Sequence, residues 1–543
     1  MVTLACIVVL IFGTAQLSAG LSRHKRDAAC FSNIDDPSRD TCFSNEAPFK
    51  TAQRNVPLPD DPRKYGLFYT LITKEDNSTQ PLDARDLSNM TLSWTNIKNR
   101  LTTIIIHGMV DVKNSSSSNQ TVWMKEMAEE LLIHDESNVI LVDWSNSSTS
   151  PYEQAVSNAR VMGALVAQLI RTIKQVVGVQ ESNIHIIGYD LGAHVAGYVG
   201  QRIPGISRIS GLDPSGKLFE DTPAEVRLDT SDATFVDVIH TDIDDGNYTR
   251  SKKIITCHSL YKKKSLCPTK MKFLLMQGNF PDIFRTTNWS SNRGFGIVGP
   301  VGHMDFYPNL GYRQPGCKNE TKGDGPEFSS CDHRRAYELF IASINTECGF
   351  ISFPCDSAED YVSNKCHPCG ERGCAPMGYN SALKKSDSDQ LVKYYLKTSD
   401  EKPYCLIHLD FTLKVRESGD DSSENPQALN IFASIKGDEQ NTTEVPLRKE
   451  PVYFQPGNSY NFTVEFPDHQ DKIRSVELRL VDLEPSSNET VPANVTLVLD
   501  LVSIKIETEP FGLDNERELC DENVILRLNE TTIISKDCKS AYN

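Results

Sequence analysis

Three residues, Asp190, Asp213 and His333, have the types and the order of a hydrolytic catalytic triad. The stretch HIIGYDLGAHVAG places Asp190 between two glycines, where an apolar strand-like run meets a helix-like segment. This spacing is typical of a nucleophile elbow, a tight strand-to-helix turn that normally presents a serine. Asp213 follows in GLDPSG and His333 in CDHRRAYELF. The order elbow, acid, histidine is that of α/β-hydrolases, so the sequence predicts such a site with a carboxylate at the nucleophile position.

A carboxylate at the elbow changes the chemistry that this site can perform. Attack of Asp190 on an ester would form a mixed anhydride and expel a poor alkoxide leaving group. The segment IIIHGM ends a strand, and we assign the oxyanion hole to the backbone N–H groups of Met109 and Leu191. These donors would face the negative charge of Asp190. We therefore expect the rate of serine-type hydrolysis to be lower by about 10⁶-fold, as it is when such a nucleophile is removed.

The same geometry predicts the protonation state of His333. If Asp190 and Asp213 lie on either side of the imidazole, their opposite charge should raise its pKa. A protonated histidine cannot act as a general base. A substitute nucleophile is not evident, because Ser215 lies only two residues after Asp213 and the chain has no Gly-x-Ser-x-Gly motif.

Alternating strand-like and helix-like segments must position these residues. Residues 101–345 contain β-rich apolar runs such as LTTIIIHG and NVILVDW, with the helical pattern SNARVMGALVAQLIRTIKQVV between them. The pattern predicts a mainly parallel sheet covered on both faces, in an α/β class with an α/β-hydrolase fold. Ligands bind such sheets at the carboxyl ends of the strands, where Gly108, Asp190, Asp213 and His240 fall. From Cys405 onward, short alternating strands predict an all-β sandwich.

Length, cysteines and glycosylation signals indicate an exported protein of two domains. The chain has 543 residues, more than one hydrophobic core usually serves. Residues 1–20 are typical of a signal peptide, and residues 21–26 contain RHKR, a predicted processing site. Of 15 cysteines, 14 would remain after cleavage, and thirteen Asn-x-Ser/Thr sequons suit a secreted, extracellular glycoprotein. The net charge of −17 argues against nucleic-acid binding, and no later stretch predicts a transmembrane segment.

Several long motifs together resemble the pancreatic lipase family, which includes lipoprotein lipases, phospholipases A1 and yolk proteins. The resemblance rests on GYDLGAHVAGYVG, GLDPSGKLF, VRLDTSDATFVDVIHTD, GFGIVGPVGHMDFYPN and CDHRRAYELFIASI, and on the cysteine series. It implies that Asp213 is the triad acid and His333 the triad base. It also implies a lipase-like domain over residues 27–398, with a short lid at 317–331, and a PLAT-like lipid-associated sandwich over 403–543.

A calcium site and a set of disulfides are also implied by the resemblance. The structural Ca²⁺ would bind backbone carbonyls of Ala224 and Arg227 and side chains of Asp229 and Asp232, which are suitable hard oxygen ligands. The implied disulfides are Cys30–Cys42, Cys317–Cys331, Cys355–Cys366, Cys369–Cys374 and Cys520–Cys538. For the remaining cysteines we favour Cys257–Cys267 and a Cys348–Cys405 link between the domains, although sequence alone does not fix connectivity.

Three functions remain open from the sequence. The first is a secreted lipid-metabolism or lipid-binding protein that cannot perform serine-type hydrolysis, with a further lipid-surface or protein partner at its C-terminal domain. The second is an active triacylglycerol lipase or phospholipase A1. In the third, Asp190 attacks the sp³ carbon of an epoxide or haloalkane. Residues 243–293 form an insert relative to the family, which would cover the cleft, form a docking surface or be a solvated glycosylated excursion.

Overall fold

The computed structural model describes most of the chain from residue 28 to residue 538. The described residues are 28–36, 39–74, 80–83, 100–110, 119–149, 151–243, 294–317, 330–346, 348–363, 365–366, 372–384, 391–417, 428–438, 441–448, 451–467, 473–482, 495–507 and 517–538. The predicted signal peptide and propeptide, most of the insert and most of the lid lie outside them.

An eleven-stranded sheet forms the first part of the protein. Its order is β12-β11-β13-β10-β9-β8-β7-β5-β6-β3-β4. The strands from β13 to β6 in this order are parallel, and antiparallel strands complete both edges. The strands are β3 (Phe68–Thr73), β4 (Gln80–Asp83), β5 (Thr102–Ile106), β6 (Asn138–Asp143), β7 (Ile184–Tyr189), β8 (Arg208–Leu212), β9 (Phe235–Ile239), β10 (Met304–Pro308), β11 (Ile351–Pro354), β12 (Ala375–Pro376) and β13 (Val392–Leu396).

Helices cover both faces of this sheet, as its fully buried central strands require. Ile104 and Ile106 of β5 face one hydrophobic cluster, while Ile105 between them faces the other. The first cluster contains α3 and α4, and the second contains α1 and α5. The helices are α1 (Asn119–His134), α2 (Ser145–Ser148), α3 (Tyr152–Val177), α4 (Leu191–Gly200), α5 (Cys331–Asn345) and α6 (Ala358–Val362). Helix α3 ends where Gly178 adopts a left-handed conformation with φ 81°.

Two antiparallel sheets form the C-terminal part. One has the order β18-β14-β20-β21, and the other has β16-β15-β19-β22 with β17 paired to β15. Alternate residues such as Leu409 and Phe411 of β14 enter a shared hydrophobic core. The strands are β14 (Leu406–Val415), β15 (Ala428–Lys436), β16 (Val445–Pro446), β17 (Val452–Tyr453), β18 (Ser459–Pro467), β19 (Ser475–Asp482), β20 (Thr496–Glu507), β21 (Arg517–Arg527) and β22 (Thr531–Ile534).

The predicted fold class is therefore confirmed, with an α/β sheet followed by all-β sheets. A small antiparallel pair, β1 (Ala28–Asp36) and β2 (Arg39–Ser44), precedes the main sheet. The sequence patterns missed four C-terminal strands: the short strands β16, β17 and β22, and the eleven-residue strand β21. Among the helices that the structure describes, none has the length and apolar character needed to span a bilayer.

Five predicted disulfides are present. They are Cys30–Cys42, Cys317–Cys331, Cys348–Cys405, Cys355–Cys366 and Cys520–Cys538. The Cys348–Cys405 bond joins the segment after α5 to the residue that precedes β14. Cys374 is also disulfide-bonded, but its predicted partner Cys369 lies outside the described residues, as does the predicted Cys257–Cys267 pair.

Candidate active site

The turn between β7 and α4 holds Asp190 in a strained backbone conformation. Its φ is 54° and its ψ is −120°, which a non-glycine residue adopts only when its surroundings impose it. The flanking glycines allow this turn, because a Cβ on Gly188 would overlap the carbonyl oxygen of Gly192, and one on Gly192 would overlap that of Ile106. The predicted elbow geometry is therefore present, with a carboxylate at its apex.

Strand register brings Asp213 beside Asp190. Tyr189 and Leu212, which precede the two aspartates, are directly paired in neighbouring parallel strands. The Asp190 backbone N–H donates to Leu212 at 3.1 Å. Both side chains therefore emerge at the carboxyl edge of the sheet, where ligand sites of such sheets lie.

His333 reaches the same edge from the first turn of α5. Its Nδ1 lies 2.5 Å from Oδ2 of Asp213, and both side chains are fully buried. The other carboxylate oxygen of Asp213 accepts backbone N–H groups of Thr241 at 2.9 Å and Asp242 at 3.2 Å. These bonds orient the acid, which in turn fixes the imidazole with Nε2 directed away from Asp213.

Asp190 occupies the hole predicted for a substrate oxyanion. Its Oδ2 accepts the backbone N–H of Met109 at 2.8 Å, and the N–H of Leu191 contributes to a lowered pKa of this carboxylate. Its Oδ1 lies 3.6 Å from Nε2 of His333, which is longer than a hydrogen bond but close for two opposite charges. The structure thus brings all five predicted residues together, and Asp190 uses the Met109 donor that an ester substrate would need.

His107 supports the loop that carries Met109. Its Nε2 accepts the backbone N–H of Trp144 at 3.1 Å, so its Nδ1 donates to the carbonyl oxygen of Gly108 at 2.7 Å. This bond fixes the peptide group whose N–H belongs to Met109. A side chain at Gly108 would overlap the Asp190 carboxylate, so the loop and the elbow are in direct contact.

The pKa values of the site indicate a buried ion cluster. Burial by itself lowers the pKa of His333, but the carboxylates of Asp190 and Asp213 outweigh burial and raise it to about 10. Burial would raise the pKa of Asp190, but His333 and the N–H groups of Met109 and Leu191 hold it below its ordinary value. His333 is therefore protonated at neutral pH, as the sequence predicted, and Asp190 is ionised.

Asp242 and Ser330 complete the surroundings of His333, and the sequence interpretation missed both. Ser330 caps α5 by accepting the backbone N–H of His333 at 2.9 Å, and its hydroxyl donates to Oδ2 of Asp242 at 2.6 Å. Burial and the nearby Asp213 raise the pKa of Asp242 to about 6. The position of Asp242 just after β9, at the same edge of the sheet, was the available sequence signal.

Ser215 is not a replacement nucleophile. Its hydroxyl lies 2.7 Å from the hydroxyl of Tyr152, and its carbonyl oxygen lies 2.8 Å from Nε2 of His194. Both contacts are buried on the side of α3 and α4. The side chain therefore belongs to the packing beneath the elbow.

The four predicted calcium ligands lie on two short 3-10 helices, Ala224–Val226 and Thr230–Asp232, and the turns around them. Oδ2 of Asp232 accepts the backbone N–H of Asp229 at 2.9 Å, while the buried Oδ1 has no hydrogen-bond partner among the described residues. Burial, with a contribution from Asp229, raises the pKa of Asp232 to about 8. An orphaned buried carboxylate oxygen next to a second carboxylate suits a hard divalent cation, so the residues present fit Ca²⁺. Arg227, whose carbonyl belongs to the predicted set, also contacts Asp229 at 3.2 Å through its guanidinium.

The predicted lid and insert can be located only by their ends. The Cys317–Cys331 disulfide closes the lid segment, and Cys331 is the first residue of α5. The insert begins next to Asp242, whose carbonyl oxygen accepts the N–H of Gly296 at 2.9 Å on the far side of the segment. The interiors of both segments lie outside the described residues.

Comparison with known proteins assigns the family. A family described as Lipase matches residues 37–251 and 275–404. Pancreatic lipase-related protein 2 of Cavia porcellus is 33% identical over 429 residues, covering 78% of this chain and 84% of the relative. Inactive pancreatic lipase-related protein 1 of Homo sapiens is 36% identical, covering 72% and 75%. Pancreatic triacylglycerol lipase of Mus musculus is 32% identical, covering 77% and 80%. With this similarity and the α/β-hydrolase fold, the chain belongs to the lipase family of the pancreatic type.

Proposed function

We propose that this protein is a secreted, lipid-binding member of the lipase family that does not perform serine-type ester hydrolysis. The observation that carries the proposal is the 2.8 Å hydrogen bond from the Met109 N–H to the Asp190 carboxylate. The residue at the nucleophile position is an acceptor, and it uses the donor on which an ester carbonyl would develop negative charge.

Three steps of serine-type hydrolysis each need a chemical group that this site does not offer. Acyl transfer needs an alkoxide-like attacker, and Asp190 offers a carboxylate whose acyl product would be an anhydride. The tetrahedral intermediate needs the oxyanion hole, which Asp190 occupies. Proton transfer needs a neutral histidine, whereas the pKa of His333 is raised to about 10 by its two carboxylate neighbours. All three follow from the carboxylate at position 190, and each opposes a different step of the reaction.

The two alternatives make distinct demands on the same geometry. An active ester hydrolase would need Asp190 to leave the hole and another group to attack. One observation favours an aspartate nucleophile for epoxides or haloalkanes: Oδ1 of Asp190 faces His333 while its Oδ2 accepts a backbone N–H. It also requires His333 to deprotonate water, which the raised pKa opposes while Asp190 is ionised.

The experiment compares the natural protein with the Asp190→Ser variant on short-chain p-nitrophenyl esters and emulsified triacylglycerol. We expect no turnover by the natural protein. The variant should gain esterase activity, because Asp213, His333 and the N–H groups of Met109 and Leu191 are already placed. A variant that combines Asp190→Ser with His333→Ala is the matched control and should be inactive.

Other outcomes have separate meanings. Fatty-acid release by the pure natural protein, unaffected by Asp190→Ala, would overturn the proposal. Covalent modification of Asp190 by an epoxide, detected by peptide mass spectrometry, would support the aspartate-nucleophile alternative instead. A folded but inactive Asp190→Ser variant would contradict the claim that the remaining groups are assembled for catalysis.

Secretion and lipid contact through the C-terminal sheets belong to the same proposal. Residues 1–20, thirteen sequons and the disulfides support export and glycosylation. The β14–β22 sheets support assignment as a PLAT-like domain that contacts a lipid surface or a protein partner. The predicted domain division near residues 398–403 remains part of this proposal.

A structural Ca²⁺ is also proposed. Asp229 and Asp232 would bind it through their side chains, and Ala224 and Arg227 through their carbonyl oxygens. The ion would neutralise the two carboxylates and tie the segment after β8 to α4, where Gly197 packs directly against Asp232. It has no role in the ester chemistry.

A further inference from the structure

A hydrogen-bond donor and an acceptor of the site lie close together without forming a hydrogen bond to each other. Nε2 of His333 is fully buried and has no hydrogen-bond partner among the residues that the structure describes. Oδ1 of Asp190 lies 3.6 Å away, and the Asp190 side chain remains 7% exposed. An unpartnered buried donor is costly, so this pair favours a group that bonds to both atoms.

We propose that the pair binds the hydroxyl group of a neutral lipid, such as a long-chain alcohol or the free hydroxyl of an acylglycerol. The inference rests on the proposed lipid-binding function and specifies its ligand class. The hydroxyl donates to Oδ1 of Asp190 and accepts from the Nε2–H of His333. A hydroxyl is both donor and acceptor, so it satisfies the two atoms at once.

Charge disfavours a fatty-acid anion at the same position. Three carboxylates, those of Asp190, Asp213 and Asp242, surround the single imidazolium of His333. Asp242 is ionised at pH 8 because its pKa is about 6. A fourth carboxylate would accept from Nε2 but would face Asp190 in a buried environment, where like charges repel strongly.

An ammonium or an ester carbonyl also fits less well. The net negative charge of the cluster attracts an alkylammonium, which donates to Asp190, but an ammonium has no lone pair to accept from Nε2 and leaves that buried donor without a partner. An ester carbonyl accepts only, and the Met109 N–H that would stabilise it is bonded to Asp190. Phe295 borders the pair, with its ring 5.5 Å from that of His333, and offers apolar contact to the carbon next to the hydroxyl.

The test uses three probes with one chain length: 1-decanol, decanoate and decylammonium, measured by isothermal titration calorimetry at pH 8. For the natural protein we expect 1-decanol to bind about tenfold more tightly than either ion. In Asp190→Asn the preference should shift towards decanoate, because the opposing carboxylate is removed. Asp356→Asn, at an exposed ion pair with Arg372, is the matched control and should leave the order unchanged.

The outcomes separate this inference from the proposed function. Equal binding of the three probes, or preference for decanoate by the natural protein, would overturn the hydroxyl site while ester turnover stays absent. Failure of all three probes to bind would overturn both the hydroxyl site and the lipid-binding function. The order in the natural protein is itself a test, so the inference remains falsifiable if Asp190→Asn does not fold.

Discussion

Replacing Asp190 by asparagine should change how the stability of the α/β domain depends on pH. In the natural protein the folded-state pKa of His333 is about 10, above its ordinary value of 6.5. The stabilisation from charged His333 is therefore complete below pH 6.5 and is lost as the pH rises towards 10. Asp190→Asn removes one of the two carboxylates that raise this pKa.

The structure sets the size of the effect. The difference between 6.5 and about 10 corresponds to an upper limit of about 5 kcal/mol, shared by the Asp190 and Asp213 carboxylates. Between pH 7 and pH 9 the natural protein should lose about 2.5 kcal/mol of unfolding free energy from this histidine. With only Asp213 left to hold the proton, the variant should lose less than about half of that amount.

Thermal unfolding across this pH range, followed by calorimetry with each domain transition resolved, measures the difference. The variant should be less stable than the natural protein near pH 7, and the gap between their melting temperatures should narrow by about 2–3 degrees towards pH 9. Asp356→Asn provides the baseline, because it changes one exposed carboxylate whose ion-pair partner is Arg372 and not His333. Parallel pH profiles for the natural protein and Asp190→Asn would refute the assignment of a protonated His333 between two carboxylates.

Two further predictions concern the supports of the site. Asp232 has a folded-state pKa of about 8, so without metal its ionisation lowers the stability of the folded protein as the pH rises above 3.8. Added Ca²⁺ should therefore raise the melting temperature more at pH 8 than at pH 5. In the Asp232→Asn variant, Ca²⁺ should not raise the melting temperature. Gly296→Ala should displace the Asp213 carboxylate, which its new Cβ would overlap, and lower the esterase activity of an Asp190→Ser protein by about tenfold or more. Gly299→Ala is the matched control for Gly296→Ala, since its Cβ would lie at an ordinary 3.5 Å from Glu220.

The sequence determined the architecture and the chemical identity of the site. Strand and helix periodicities act locally, so the parallel strands β5 to β9 and the helices α3 and α4 were readable, whereas helix α1 (Asn119–His134) was not predicted. The two glycines around Asp190 indicate that backbone segments approach closely there. The order of Asp190, Asp213 and His333 along the chain indicates the α/β-hydrolase arrangement. The short strands β16, β17 and β22 were missed because two to four residues carry too little periodicity to separate a strand from a turn.

The sequence predicted that the oxyanion donors face Asp190, but only the tertiary structure decided which carboxylate oxygen accepts which N–H group. The bond of Asp190 to Met109 joins residues 81 positions apart, and the Ser330–Asp242 bond beside His333 joins residues 88 positions apart. Such contacts depend on strand register, loop geometry and the side-chain conformation that satisfies most buried donors, none of which a local pattern contains. The sequence therefore gives a carboxylate at the elbow, and the packing of three strand ends places that carboxylate in the oxyanion hole.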